Sequence, residues 1–464
     1  MKKINLTLTD FFNLPSAEIY NADKFKPVSK VSIDSRSTLK NSLFIAIKGD
    51  KFDGHSFIRQ AIEKGASIII INKNNYKKFR DVNIPLITVS DTAVALGDLA
   101  KIWRNKLKAI IIGISGSNGK TSTKEILAAL LSQKFSVNMT FKNNNNNIGV
   151  PLTILSSNEK HEIVIIELGT NHFGEIQYTA SIAKPDYAII TNIGESHLEF
   201  LKNKRGVLNE KASLFNETIK AGGKIAVNVD DKYLNEFSKK FKKKITYSIK
   251  RNNADVSGKV TSISLAGHPS ITVKFKNKLM HFELPLFGVN SAKNFIAALS
   301  VGLNLGLKKN HIVSGLKRIK PVDKRLNVIK NKNYIIIDDT YNANPESMKS
   351  AFKLIKAINI YKKKILVLGD MFELGAESVK FHEELAKQII KNKINYVYTI
   401  GPLMNNLYKK LGNHEIERKH FRNRESLKAF LSQFDFAGSI VLVKGSRGMR
   451  MEEFEKIIEN KAND

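Results

Sequence analysis

The chain has no cysteine, which removes disulfides, zinc-thiolate sites and thiol nucleophiles together and suits a reducing compartment. It has no apolar run approaching the roughly 18 to 20 residues of a membrane span. Asp10 breaks the N-terminal stretch that could otherwise serve as the apolar region of a signal peptide. Membrane insertion is therefore not expected, and a cytoplasmic location is. Acidic residues are the other shortage: 43 Asp and Glu stand against 75 Lys and Arg, a formal net charge of +32. Such an excess could neutralise nucleic-acid phosphates. The cations are instead mostly lysines spread over solvent faces, with short runs such as KKFKKK (239–244) and no basic block interleaved with aromatics. A Lys- and Asn-rich compositional bias accounts for them, and no nucleic-acid partner is expected. A polyanionic small substrate would be welcome on such a surface.

What is present is enough chain for about three domains, 464 residues with an ordinary 42% hydrophobic content. The stretch that organises it is AIIIGISGSNGKTS (109–122), a buried strand that breaks into small residues before the apolar-periodic EILAALL. That order is strand, phosphate loop, helix. Gly116 and Gly119 let backbone N–H groups approach an anion, and the helix N-terminus adds partial positive charge. Lys120 supplies a point charge and Thr121 a hydroxyl for magnesium. The loop residues Gly116, Ser117, Asn118, Gly119, Lys120, Thr121 and Ser122 are the candidate cradle for nucleotide phosphates. The pattern is the short G-x-x-G-K-[ST], with Ile114 where the longer form has glycine.

The first segment, to about residue 90, has apolar runs at SLFIAI, SIIII and PLITVS and a helical pattern in HSFIRQAIEKGA, a small α/β domain. Its polar clusters SIDSR (32–36) and GDKFDGHSF (49–57) read as turns in which Arg36 and His55 could meet an anion. From DTAVALGDLAKIWRNK onward, strands and helices alternate through KIAVNV, which means a mostly parallel sheet with ligands at the strands' carboxyl ends. After Lys244 the runs ITYSI, VTSISL, SITVKF and HFELPLF look antiparallel. A helix over 291–302 closes this domain near residue 320. The last segment alternates strands and helices without a phosphate loop of its own. The expected class is α/β in three domains: 1–90, a central ATP-binding domain over 91–320 with an antiparallel portion, and a Rossmann-like domain over 321–464. Two such domains side by side suggest a cleft closed by domain movement. The run of asparagines at 143–147 is low in complexity and reads as a loop.

Several single residues could do chemistry. Glu167 stands at the exit of EIVIIELG, placed to bind magnesium. His197 follows DYAIITNIG, again on the carboxyl-end side. Lys211 opens a helix among polar residues, with nothing in composition to separate it from other lysines. Asp338 and Asp339 are adjacent on a strand, so their side chains face opposite ways and one alone can address a given site. Arg325, on a loop upstream, is the kind of fixed cation that binds a transferring phosphoryl group.

Taken together, GSNGKTS, ELGTNHFGEI (167–176), TNIGESHLE (191–199) and Arg325 followed by the strand with two aspartates resemble the ATP-dependent Mur ligases. NNNIGVPLT (145–153), DDTYNANPESM (338–348), LGDMFELG (368–375) and VLVKGSRGM (441–449) resemble the branch that adds D-alanyl-D-alanine. Ligases that add single amino acids, and folylpolyglutamate synthetases, are similar around the loop but not in these segments. The resemblance spans essentially the full chain. It implies an N-terminal domain for a UDP-muramoyl peptide, a central ATPase domain and a C-terminal domain that helps bind ATP and the dipeptide.

By the same resemblance, Ser35, Arg36, Asp53 and His55 would lie by the UDP-sugar. Lys120 would hold the β/γ-phosphates, and Thr121, Glu167 and His197 would organise Mg2+. Lys211 matches a family lysine that can be carbamylated into a carboxylate-like metal ligand. Asn294 would approach adenine, Arg325 the phosphates and Asp339 the ribose. Asn145, Asn146, Tyr341, Asn342, Asn344, Lys444 and Ser446 would line the peptide or dipeptide site. The chain departs from the family's G-x-H-N-x-x-N at Gly288-Val289-Asn290-Ser291-Ala292-Lys293-Asn294, and has Ser213 where relatives commonly have Glu. The implied reaction uses ATP and Mg2+ to join UDP-N-acetylmuramoyl-tripeptide to D-alanyl-D-alanine through an acyl phosphate, by a monomer.

Overall fold

Isoleucine- and valine-rich runs bounded by Gly, Asp or Ser form the central strands of three separate sheets, because β-branched side chains buried on both faces favour extended chain. A computed structural model describes residues 4–49, 52–412 and 414–461; Asp50 and Lys51 of the cluster at 49–57 lie outside the described residues. The first sheet contains β1 (Glu18–Tyr20), β2 (Lys30–Ser32), β3 (Ser42–Ile45), β4 (Ala66–Asn72) and β5 (Leu86–Val89). Their order is β1-β5-β4-β3-β2, with β1 the antiparallel member.

The second sheet holds β6 (Ile110–Ser115), β7 (Val137–Met139), β8 (Ile163–Glu167), β9 (Tyr187–Ile190), β10 (Lys224–Asn228) and β11 (Lys244–Ser248). It continues into β12 (Val256–Ile263), β13 (Pro269–Phe275) and β14 (Lys278–Glu283). The order is β14-β13-β12-β11-β10-β9-β6-β8-β7. Strand β6 thus has β8 on one side and β9 on the other, both parallel to it. That reversal of direction opens a crevice at the carboxyl end of β6, which is where the phosphate loop begins.

The antiparallel portion begins one strand later than the sequence predicts. ITYSI was expected among the antiparallel strands, but β11 runs parallel to both β10 and β12. The helix Lys232–Phe237 between β10 and β11 supplies the crossover that a parallel pair needs. Antiparallel pairing starts with the β12, β13 and β14 meander.

The third sheet is β15 (Asn327–Lys330), β16 (Tyr334–Asp339), β17 (Lys363–Gly369), β18 (Tyr396–Ile400), β19 (Glu417–Phe421) and β20 (Ser439–Lys444), in the order β15-β16-β20-β17-β18-β19. All its pairs are parallel except β15 with β16. The helix Thr92–Lys106, capped by Asp91, joins the first two sheets. Its Thr92 hydroxyl donates to the Ala46 carbonyl at 2.8 Å, and its buried Trp103 donates to the Ser157 carbonyl at 2.9 Å. One apolar cluster therefore runs from the N-terminal domain into the central one. No helix among the described residues is long and apolar enough to cross a membrane.

Candidate functional site

Between β6 and the helix Lys120–Leu131 the chain turns through two glycines in the left-handed region, Gly116 at φ 141° and Gly119 at φ 82°. A side chain at Gly116 would strike Thr191, and one at Gly119 would strike the Asn294 amide. Glycine is required here by close approach as well as by backbone conformation. Asn192 braces the loop from the next strand exit: its side chain accepts from Asn118 N at 3.0 Å and donates to Asn118 O at 2.9 Å.

Lys120 is half-buried and its Nζ donates to the Gly116 carbonyl at 2.7 Å. Burial pushes its pKa down, Glu167 opposes that shift, and Arg325 adds to it. The Thr121 hydroxyl donates to Glu167 Oε1 at 3.1 Å. Glu167 is 1% exposed, yet its Oε2 has no hydrogen-bond partner. This buried, half-satisfied carboxylate beside a hydroxyl is a donor set suited to a hard divalent cation. Among the described residues no cluster of three or more His, Asp or Glu forms a metal cage. The set fits magnesium held jointly by protein oxygens and substrate phosphates.

Lys211 does not open its helix. It lies in the middle of the helix Lys204–Lys220, whose start is capped by Asn203, and it is fully buried with no partner for its Nζ. Burial pushes its pKa well below the ordinary lysine range, and the nearby charge of Lys120 pushes the same way. The polar residues flanking it in sequence face elsewhere because a helix distributes neighbours around its axis. Its neighbour Glu210 seats the start of the helix Glu175–Ala183 by accepting from Gly174 N and Ile176 N at 2.7 and 2.8 Å.

The third sheet supplies the opposite wall. Arg325 stacks on the Tyr341 ring, 3.9 Å from its centroid. Asp339 pairs with the buried Lys444, which also donates to the Asn342 carbonyl at 3.0 Å. The pleat turns Asp338 away from this group, and it accepts from the Thr340 hydroxyl at 2.6 Å. Asn344 caps the helix Pro345–Ala357 and sends its Nδ2 across to Asn118 Oδ1 at 2.8 Å. Beside it Glu346 approaches Lys204 at 3.4 Å, and its pKa is raised, first by burial. His197, at φ 53°, brings Nδ1 to 2.6 Å from Glu373 Oε2, a contact that holds the Glu373 carboxyl below its usual range.

These walls enclose a cleft of about 540 Å³. It gathers Ser117, Asn118, Gly119, Lys120, Ser122, His197, Asn294, Arg325, Asp339, Tyr341, Asn342, Asn344 and Lys444, residues from two domains. Gly116, Thr121, Glu167, Lys211, Asn145, Asn146 and Ser446 are not in its lining. Ser446 is 2% exposed and accepts from Phe372 N at 2.7 Å. Asn146 Oδ1 accepts from Gly149 N at 2.9 Å, just ahead of the helix Gly149–Leu155. Asn192, Glu346 and Glu373 line the cleft but carry no recognisable sequence signal beyond lying inside the quoted motifs.

The N-terminal candidates lie apart from this cleft. Ser35 hydrogen-bonds Gln60 at 2.5 Å, and exposed Arg36 pairs with Asp34 at 2.8 Å. His55 is buried: Nε2 accepts from Asn72 N at 3.0 Å, so its proton sits on Nδ1, 2.6 Å from Asp53. It was expected to be able to meet an anion. Both ring nitrogens are hydrogen-bonded inside the domain.

Three family models match the chain: Mur ligase family, catalytic domain over 27–104, Mur ligase middle domain over 114–302, and Mur ligase, glutamate ligase domain over 324–447. A UDP-N-acetylmuramoyl-tripeptide--D-alanyl-D-alanine ligase of Bacillus subtilis is 35% identical over 92% of both chains. The Escherichia coli enzyme of that name is 32% identical, covering 98% of this chain and 99% of its own. A crystal structure of MurF from Acinetobacter baumannii is similar with TM-score 0.86 at 27% identity, over 98% of each chain. MurF ligase from Thermotoga maritima in complex with ADP is similar with TM-score 0.80 at 28% identity, over 94% of this chain and 98% of that one.

Proposed function

From the premise that the chain belongs to the Mur ligase family, we propose how its cleft performs one ligation. The enzyme joins D-alanyl-D-alanine to UDP-N-acetylmuramoyl-tripeptide with ATP, a peptide-bond-forming step of peptidoglycan synthesis. A carboxylate is too poor an electrophile to react with an amine unaided. The peptide carboxylate therefore attacks the γ-phosphorus, ADP leaves, and an acyl phosphate results. The dipeptide amine then attacks the acyl carbon, loses a proton, and phosphate departs.

The observation that carries this reading is the convergence of Lys120, Arg325 and the phosphate loop on one cleft closed by Asn344. Lys120 and Arg325 neutralise charge on the transferring phosphoryl group. Magnesium would be held by Thr121, Glu167 and His197, with Lys211 as its carbamate, and would supply charge neutralisation when bound. The buried Lys211 Nζ has no hydrogen-bond partner among the described residues, which suits conversion to a carbamate. Tyr341, Asn342, Asn344, Lys444 and Ser446 line the peptide or dipeptide site, Asp339 meets the ribose, and Asn294 approaches adenine. Holding the reactants in one closed cleft raises their effective concentration and keeps water from the acyl phosphate.

The remaining assignments rest on family likeness. The N-terminal unit (1–90), with Ser35, Arg36, Asp53 and His55, would receive the UDP-sugar, and Asn145 and Asn146 the peptide. The units 91–320 and 321–464 would close over ATP. The enzyme would work as a cytoplasmic monomer. The deciding experiment measures phosphate release from ATP with UDP-N-acetylmuramoyl-tripeptide, with and without D-alanyl-D-alanine, alongside mass detection of the pentapeptide. Release that ignores the dipeptide, or no pentapeptide, removes the named acceptor and leaves the ligase fold.

A further inference from the structure

Lys124 has no solvent exposure, and nothing in the ligation step uses it. It sits one turn beyond Lys120 on the helix Lys120–Leu131 but is not in the cleft lining. A buried ammonium is costly unless several acceptors replace its water. Its Nζ donates to the Thr140 carbonyl at 2.7 Å and the Lys142 carbonyl at 2.9 Å. Glu125 Oε1 lies 3.0 Å away and Glu167 Oε2 4.0 Å away. The Lys142 carbonyl is presented by a left-handed residue, φ 51°, a conformation that lysine adopts only against a cost.

The segment these carbonyls belong to is the asparagine loop at 140–147. It has little apolar surface with which to pack, and its aromatic Phe141 is 68% exposed. Its order therefore depends on polar ties. Glu167 N donates to the Thr140 hydroxyl at 3.0 Å, Gly169 N to the Asn145 carbonyl at 2.8 Å, and Asn145 Nδ2 to Glu167 Oε1 at 2.9 Å. Lys124 is the charged centre of this set, joining the phosphate-loop helix to the loop from below.

We propose that Lys124 is a positioning residue that clamps the asparagine loop onto the phosphate-loop helix and the end of β8, so that the loop is held ready for the UDP-muramoyl peptide. The ligand in this statement rests on the reading above, whereas the clamp rests on the distances alone. Loss of two charge-assisted hydrogen bonds frees the loop without touching the residues that face nucleotide.

The test uses the full-length enzyme carrying Lys124→Met, close in length and uncharged. Hydrogen exchange followed by mass spectrometry is expected to speed up by about tenfold or more in the loop peptide and to stay unchanged over the phosphate loop. The KM for UDP-N-acetylmuramoyl-tripeptide is expected to rise by about tenfold while the Kd for ADP stays within about twofold. Should the variant fail to fold, Lys142→Pro decides, because proline forbids the positive φ at an exposed site and leaves Lys124 in place. Unchanged loop exchange in a folded variant overturns the clamp. So does a parallel loss of ADP affinity, which would make Lys124 a support of the phosphate loop in general. Absence of tripeptide use by the unaltered enzyme would defeat the substrate reading, and the exchange measurement would still read the clamp.

Discussion

Asn118 of the phosphate loop and Asn344 at the N-cap of the helix Pro345–Ala357 hydrogen-bond across the cleft at 2.8 Å, which ties the central and C-terminal domains together there. Asn344 also accepts from Ser347 N at 2.9 Å. Asn344→Asp keeps the cap acceptor and loses the donor, so helix stability is retained while kcat/KM falls by about tenfold. Asn344→Ala should cost about 1 kcal/mol of C-terminal stability in addition. Urea unfolding beside steady-state kinetics separates the two losses. Equal kinetics for Asn344→Asp and the unaltered enzyme would show that the bridge is idle in turnover.

The hydrogen bond of the Lys120 side chain among the described residues is to the Gly116 carbonyl, so its removal is expected to leave the fold intact. Lys120→Ala is expected to lower kcat by about 10² to 10³ through loss of charge stabilisation in phosphoryl transfer. Phosphate release at saturating ATP checks this. An unimpaired variant would take the phosphate-loop role away from Lys120.

Lys211 is a buried amine with no partner, so an apolar replacement of similar length removes an unfavourable burial rather than a bond. Lys211→Met should be as stable as the unaltered enzyme or more so, and nearly inactive. Thermal unfolding and ligation assays read the two effects. Lower stability together with full activity would make Lys211 a structural residue.

Glu455, on the helix Glu452–Asn460, is 5% exposed, and burial followed by the charge of Asp338 pushes its pKa up to about 7. Lys456 and Lys324 oppose that shift without cancelling it. Asp338 is raised as well, again by burial first. A carboxyl whose folded pKa exceeds its unfolded one favours folding at low pH. That contribution is complete below the unfolded value of 4.5 and is lost as the pH rises through about 7. Glu455→Gln should flatten this slope and stabilise the protein at pH 8 by about 2 kcal/mol. Denaturant titrations across the pH range test it, and an unchanged slope rejects it.

His55→Ala leaves the Asn72 N–H and the Asp53 carboxylate short of a partner. A stability loss of about 1 kcal/mol is expected, because the half-buried Asn72 N–H loses its acceptor while Asp53, 41% exposed, keeps the residue-55 N–H and water. Urea unfolding measures it. A variant of normal stability with a raised KM for the UDP-substrate would instead point to direct anion contact by His55.

Much of this was legible locally. The phosphate loop, Glu167 at its strand exit and the opposed pair Asp338 and Asp339 could all be read from spacing, because a strand's pleat and a loop's glycines act over a few residues. The edge strands β1, β2, β15 and β19 were not read. Strands of this kind are short and lack the continuous apolar run of buried strands. The strand β11 was assigned to the wrong pairing because a parallel partner is chosen by the crossover helix and not by the strand's own residues.

By itself the sequence determined what is contiguous: a strand, a glycine loop and a helix with Lys120 and Thr121 at its start, and an alternating α/β chain without thiols. Tertiary structure decided what depends on distance between remote segments. It buried Lys211 in mid-helix without a partner, closed both nitrogens of His55 inside the N-terminal domain, and set Asn344 against Asn118 across 226 positions of chain. The physical reason is that burial and hydrogen-bond satisfaction belong to the environment a side chain enters. That environment is assembled by strand order and helix packing, neither of which is written in the residues flanking it.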